Sequence, residues 1–136
     1  MRLLVVLCAV LLTAAASTAA ALNPVRATMS TSSTKPLAET PWRYTILVKN
    51  RQGEPLAVKA RLQILLGAVV VGCWKRTAMA PCSGPNAGTW IRFKGKRAGV
   101  LRWPAQSAGA KLTFQAIVVT GTRSLRLRAP VTVQLP

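Results

Sequence analysis

The chain has 136 residues, 51% of them hydrophobic, with nineteen Lys or Arg residues against two acidic ones and a formal net charge of +17. Histidine and aspartate are absent and Glu39 and Glu54 are the only carboxylate side chains, which removes the groups most used in general acid–base catalysis and most of those that ligate metals. The length fits one domain with a modest core, and the charge predicts attraction to anionic partners.

Met1 and Arg2 precede an apolar run over residues 3–12, followed by small residues that end in Ala19, Ala20 and Ala21. A positive start, an apolar middle and an A-x-A site predict a secretory signal peptide over residues 1–21, cleaved near Ala21. The competing expectation is an uncleaved membrane anchor, because residues 3–22 are just long enough to cross a hydrocarbon layer of about 30 Å. The Ala, Ser and Thr of its second half favour cleavage. Removal takes Cys8 away and leaves Cys73 and Cys82 as a single pair, which export to an oxidising compartment predicts to be a disulfide. A zinc or redox pair is the alternative, but the further ligands a metal needs are missing. No cofactor and no metal site is expected.

Residues 22–41 are rich in Ser, Thr and Pro and show no hydrophobic period, which predicts a flexible solvated linker. From Trp42 onward apolar and polar residues alternate and turn signals recur, the pattern of an all-β sandwich over residues 42–136 with about seven antiparallel strands. Over residues 42–50, Trp42, Tyr44, Ile46 and Val48 share one face. A turn at residues 51–55 leads to Val58, Ala60, Leu62, Ile64 and Leu66 on the inner face of a second strand, against Lys59, Arg61 and Gln63, and these two strands are expected to pair as a hairpin. Residues 68–74 are apolar on both faces and suit a central strand.

Residues 80–88 read as a loop. Residues 89–94 and 98–103 are strand candidates that contribute Ile91, Phe93, Leu101 and Trp103 to the core. Leu112, Phe114, Ala116 and Val118 then alternate with polar neighbours up to the turn at residues 120–122. The last strand carries Leu125, Leu127, Ala129, Val131, Val133 and Leu135 inward, and Pro130 marks it as an edge or bulged strand, since proline cannot donate to a ladder.

The first strand pair with its Gly53, Glu54 and Pro55 turn, the run of strands, and the closing pair over residues 112–119 and 131–135 resemble the bacterial immunoglobulin-like domains of secreted and cell-surface proteins. The resemblance covers residues 42–136. It implies a two-sheet immunoglobulin-like sandwich used as an adhesion, spacer or cell-envelope module, and no single activity. The chain departs from the antibody type, because Cys73 and Cys82 are too close in sequence to bridge the two sheets. It also lacks the acidic clusters with which some such domains hold calcium.

With Glu39 in the linker and Glu54 in a turn, no carboxylate pair or triad can be assembled, and the expectation is a protein without catalytic residues. The cations occupy turns and outward strand positions, densest at Arg92, Lys94, Lys96 and Arg97, with Lys75 and Arg76 second. These six are expected to form a basic patch for polyanions: teichoic acids, anionic polysaccharide, acidic lipid headgroups or released DNA. No motif for sequence-specific nucleic-acid recognition appears. Trp74 and Trp103 are expected in the core, whereas Trp90 is expected to face outward, beside the cations. The reading is a secreted or envelope-bound module that binds anionic polymers. Its alternative is a structural or adhesion module that contacts a protein partner through an exposed strand edge. A cationic membrane-active agent is a third class, without an amphipathic helix to support it.

Overall fold

A computed structural model describes residues 24–136, so the expected signal peptide and its cleavage site lie outside the described residues. Nine strands follow in order: β1 (Arg26–Thr31), β2 (Pro41–Lys49), β3 (Ala57–Leu66), β4 (Val69–Lys75), β5 (Ala78–Pro81), β6 (Ile91–Lys94), β7 (Lys96–Arg102), β8 (Lys111–Thr120) and β9 (Arg123–Thr132). They form two antiparallel sheets, one of order β1-β2-β7 and one of order β5-β4-β3-β8-β9 in which β6 also pairs with β3. The fold is therefore an all-β sandwich.

The core is built by the alternation that the sequence displays. Trp42, Tyr44, Ile46 and Val48 of β2 face Val58, Ala60, Leu62 and Ile64 of β3 and Leu112, Phe114, Ala116 and Val118 of β8, all buried. Burying each large apolar side chain stabilises by about 1.5–3 kcal/mol. Trp42 meets both Trp103 and Phe114 edge to face at 5.3 Å, the arrangement aromatic quadrupoles prefer. The closing β8–β9 pair forms as expected, and Pro130 sits on β9, the edge strand, opposite Thr113.

Four expectations are corrected. The stretch expected as a linker over residues 22–41 contains β1, which pairs with β2 from Arg26↔Lys49 to Thr31↔Tyr44. Ala38 of the same stretch is fully buried, and its N–H donates to Gln134 O at 2.9 Å. Thr and Ser lower the hydrophobicity of this segment without removing its β-compatibility, and an edge strand draws much of its stability from ladder hydrogen bonds.

Second, β2 and β3 are not a hairpin but belong to different sheets, joined only by the bridge Lys49↔Pro55. Alternation reports which face is buried, and two strands whose apolar faces meet across a core satisfy it as well as two neighbours do. Asn50 holds the corner, accepting the Gly53 N–H on its carbonyl at 3.0 Å and the Glu54 N–H on Oδ1 at 2.9 Å.

Third, β6 and β7 are one run that changes sheet. β6 pairs with β3 and β7 pairs with β2, and Gly95 between them has φ 73°. Its N–H donates to Leu56 O at 2.8 Å and its carbonyl accepts from Val48 at 2.7 Å, so one residue ties both sheets. A Cβ on Gly95 would collide with Pro55. With β1 and the short β5, this switch raises the count above the expected seven or so.

Fourth, the inner row of β3 ends at an open margin: Leu66, expected inward, is 54% exposed, while Leu65, on the outer face beside Gln63, is 6% exposed. The β3–β8 register runs unbroken here, and the shift between Ile64 and Leu65 falls in β4, where Val71 is the extra residue. Leu135, expected inward, is 76% exposed beyond the end of β9.

A candidate anion-binding face

The outer face of the six-stranded sheet gathers the cations. Register places Lys94 beside Ala57, Arg92 beside Lys59, Lys59 beside Val119, Arg61 beside Ile117 and Ile117 beside Arg126. Gln63, Gln115 and Arg128 form the next row. Neighbouring strands lie about 4.8 Å apart and alternate residues about 6.6 Å apart along a strand. Lys59, Arg61, Arg92, Lys94, Arg126 and Arg128 thus project from one surface at charge spacings of that order. A concavity of about 510 Å³ between the strands is bordered by Lys59, Arg92, Lys94, Val119 and Gly121.

Lys59 and Arg92 are direct cross-strand partners. Like charges in that relation destabilise a sheet, and a bound anion relieves the repulsion. Neither glutamate does so. Glu54 Oε2 accepts from the Asn50 amide at 3.3 Å, and Glu39 Oε1 accepts from the Ala105 N–H at 2.8 Å. Neither lies in a strand of this face.

Trp90 stands in the same row as Arg61, pointing outward as its parity predicts. It is half-buried, and two cations lie over its ring, Lys59 Nζ at 4.6 Å and Arg61 Cζ at 4.1 Å from the centroid. The indole therefore positions cations and offers less open ring for stacking a sugar or base. Arg61 Nε is buried without a hydrogen-bond acceptor.

The six residues expected to form the patch are divided by the structure. Arg92 and Lys94 lie on the face just described. Lys96 is exposed on the outer side of β7, in the other sheet. Arg97, its neighbour, points inward, donating from Nε to Tyr44 Oη at 3.4 Å and lying over Trp74 with Cζ 5.7 Å from the ring centroid. Lys75 and Arg76 are exposed at the end of β4, where Arg76 has φ 57° and its carbonyl accepts the Trp74 Nε1–H at 2.9 Å. Trp74 is half-buried against the core and Trp103 is fully buried. Lys59, Arg61, Arg126 and Arg128 were not part of the expected patch. Their outward parity was readable, but the register that sets them beside Arg92 was not.

The Cys73–Cys82 disulfide forms, with Cα atoms 5.9 Å apart and a sequence separation of 9. It anchors residues 83–89 over part of the same sheet, above Gln63. Gln63 Nε2 donates to Pro85 O at 3.0 Å and Ala87 O at 2.9 Å, Gln115 Nε2 donates to Gln63 Oε1 at 3.0 Å, and Arg128 Nε donates to Gln115 Oε1 at 2.9 Å. Gln63, read as outward and polar, is instead 1% exposed because the loop covers it. This chain of bonds fixes Arg128 at the margin of the basic face.

No family model and no curated protein matches the chain. Among the described residues no three His, Cys, Asp or Glu side chains cluster to hold a metal, and no helix is long and apolar enough to cross a membrane.

Proposed function

We propose that the protein is a secreted or envelope-located, non-catalytic module that binds anionic polymers through the outer face of its six-stranded sheet. One observation carries this reading: Lys59, Arg61, Arg92, Lys94, Arg126 and Arg128 share a face whose strands contain no acidic residue. Such a field attracts polyanions and is screened over about 8 Å at physiological salt. The disulfide supports an oxidising location. The two-layer sandwich and its closing β8–β9 pair support the immunoglobulin-like reading of the fold.

Retention on immobilised heparin and on a teichoic-acid matrix, at about 50 mM and about 200 mM salt, tests the proposal. Arg92→Glu with Lys94→Glu should weaken retention strongly at the lower salt. Arg43→Glu with Lys49→Glu, on the outer side of β2, should weaken it less. Equal losses from both pairs would reduce the effect to net charge and remove the face as a site.

A second reading, a module that docks a protein strand, is supported by the unpaired outer edge of β7, the last strand of its sheet.

A further inference from the structure

The two sheets differ in width, and one flank of the sandwich is open as a result. β1 lies against β9, Trp42 and Tyr44 of β2 pack on Phe114 of β8 at 5.3 and 4.9 Å, and Arg97 of β7 reaches Trp74 of β4. β7 is the last strand of its sheet, while β4 and β5 extend the opposite one to its edge. Among the described residues no strand pairs with β7 on that flank.

The hydrogen-bond phase of β7 shows which of its backbone groups are free. Val48 N–H donates to Gly95 O at 2.7 Å, and this pair continues the β2–β7 register. In an antiparallel ladder, residues that bond to the neighbour alternate with residues whose N–H and C=O turn away. Arg97, Gly99 and Leu101 therefore bond to β2, and Lys96, Ala98, Val100 and Arg102 direct their backbone groups toward the open flank.

Beside the C-terminal half of this edge is a cleft of about 660 Å³ whose apolar lining includes Leu66, Val71, Met79, Pro81, Trp103 and Leu112. Leu66 is 54% and Val71 39% exposed there. An unpaired edge beside an apolar cleft supplies both requirements of strand addition, main-chain hydrogen bonds for affinity and recesses for alternate side chains. Charge selects the partner. Lys96 and Arg102 are exposed at the two ends of β7, Arg102 also donating from Nη1 to the Glu39 carbonyl at 2.8 Å while the Glu39 carboxylate is held by the Ala105 N–H, and β4, β5 and β7 contain no acidic residue. A strand added here turns alternate side chains toward the cleft and toward the Lys96 to Arg102 row, where opposite charges stabilise and like charges destabilise.

We propose that the outer edge of β7 takes an extended segment of another protein in which apolar and acidic residues alternate, the apolar side chains entering the cleft and the acidic ones lying beside Lys96 and Arg102. This rests on the strand-docking reading and names the chemistry of its partner.

The test uses the oxidised protein and three synthetic peptides of seven residues, the length of β7: valine alternating with glutamate, valine alternating with lysine, and glutamate throughout. The valine–glutamate peptide should bind, slow amide exchange at Lys96, Ala98, Val100 and Arg102, and perturb Met79 and Trp103. Val100→Pro removes an N–H that β2 does not use, so the sandwich should stay folded by circular dichroism while binding falls about tenfold, the effect of one main-chain hydrogen bond. Val71→Glu should weaken binding with the edge intact. Equal binding of the valine–lysine peptide would overturn the acidic chemistry and leave strand docking standing. Equal binding of the all-glutamate peptide, lost with Arg92→Glu and Lys94→Glu, would transfer the interaction to the other sheet and overturn the proposal. A dimer of this chain dissociated by Val100→Pro would make a second copy the occupant and overturn it as well. Absence of protection along β7 with every peptide would sink both the proposal and the reading beneath it.

Discussion

Gly99 lies against the ring of Tyr44, its cross-strand partner, so closely that a Cβ there would collide with Cζ and Oη. Tyr44 is 2% exposed and packs on Phe114, with ring centroids 4.9 Å apart, so the ring has little room to retreat. Gly99→Ala is expected to destabilise the protein by about 1–3 kcal/mol, the usual penalty of overpacking. Urea denaturation measures it. In a Tyr44→Leu background the same substitution should cost less, because the colliding atoms are gone, and an unchanged penalty would assign it to backbone conformation instead.

The disulfide closes a short loop, and constraint of the unfolded chain gives about 2.5–3 kcal/mol for a loop of about ten residues. Cys73→Ser with Cys82→Ser should lower the unfolding free energy by that amount. The lost order should concentrate at residues 83–89, where amide exchange should accelerate ahead of exchange in β8. Uniform acceleration would mean that the bridge supports the whole sandwich and not this loop.

Gln63, itself 1% exposed, donates to two carbonyls of a partly exposed loop and accepts from the buried Gln115. Gln63→Leu leaves the buried Gln115 amide without this acceptor, and a buried unsatisfied polar group costs about 1–3 kcal/mol. The variant should be less stable than wild type despite its greater hydrophobicity. Replacing Gln63 and Gln115 together by leucine should cost less than the two single losses combined, since each single change orphans the other amide. Additive losses would show that the two amides act independently.

These residues mark where the sequence was legible. Period-two alternation identified the inward sides of β2, β3 and β8 because each packs one apolar face on the core. Pro130 marked an edge, since a missing donor has one physical consequence. Alternation says nothing about pairing, so it suits a β2–β3 hairpin as well as the observed arrangement, in which the two strands face one another across the core. Nor does it reveal a loop that folds back, which is why Gln63 read as solvent-facing. The basic face suffered from both limits: its cations were visible one by one, but Arg92 and Arg126 are brought onto a common sheet by β3 and β8, between strands distant in sequence. Arg97 shows the opposite error, since adjacency to Lys96 suggested one cluster where a strand puts neighbours on opposite sides.

The attraction to polyanions should depend steeply on salt and scarcely on pH. Histidine is the one side chain whose ordinary pKa places its charge change between pH 5 and 8, and the chain has none. Cys73 and Cys82 are joined and carry no titrating thiol. With no histidine in the chain, retention on heparin should coincide at pH 5.5 and pH 8 at constant ionic strength. Raising salt at either pH displaces the protein, because each phosphate or sulfate contact releases condensed counterions and the affinity falls as a power of salt concentration. The slope of log affinity against log salt reports the number of contacts. Substituting Lys59, Arg92 and Lys94 together by glutamine should lower it by up to about three. A slope that does not change would place the contacts elsewhere on the surface. Retention that rises from pH 5.5 to pH 8 would instead place a titrating group on the polymer, which becomes more anionic as it loses protons.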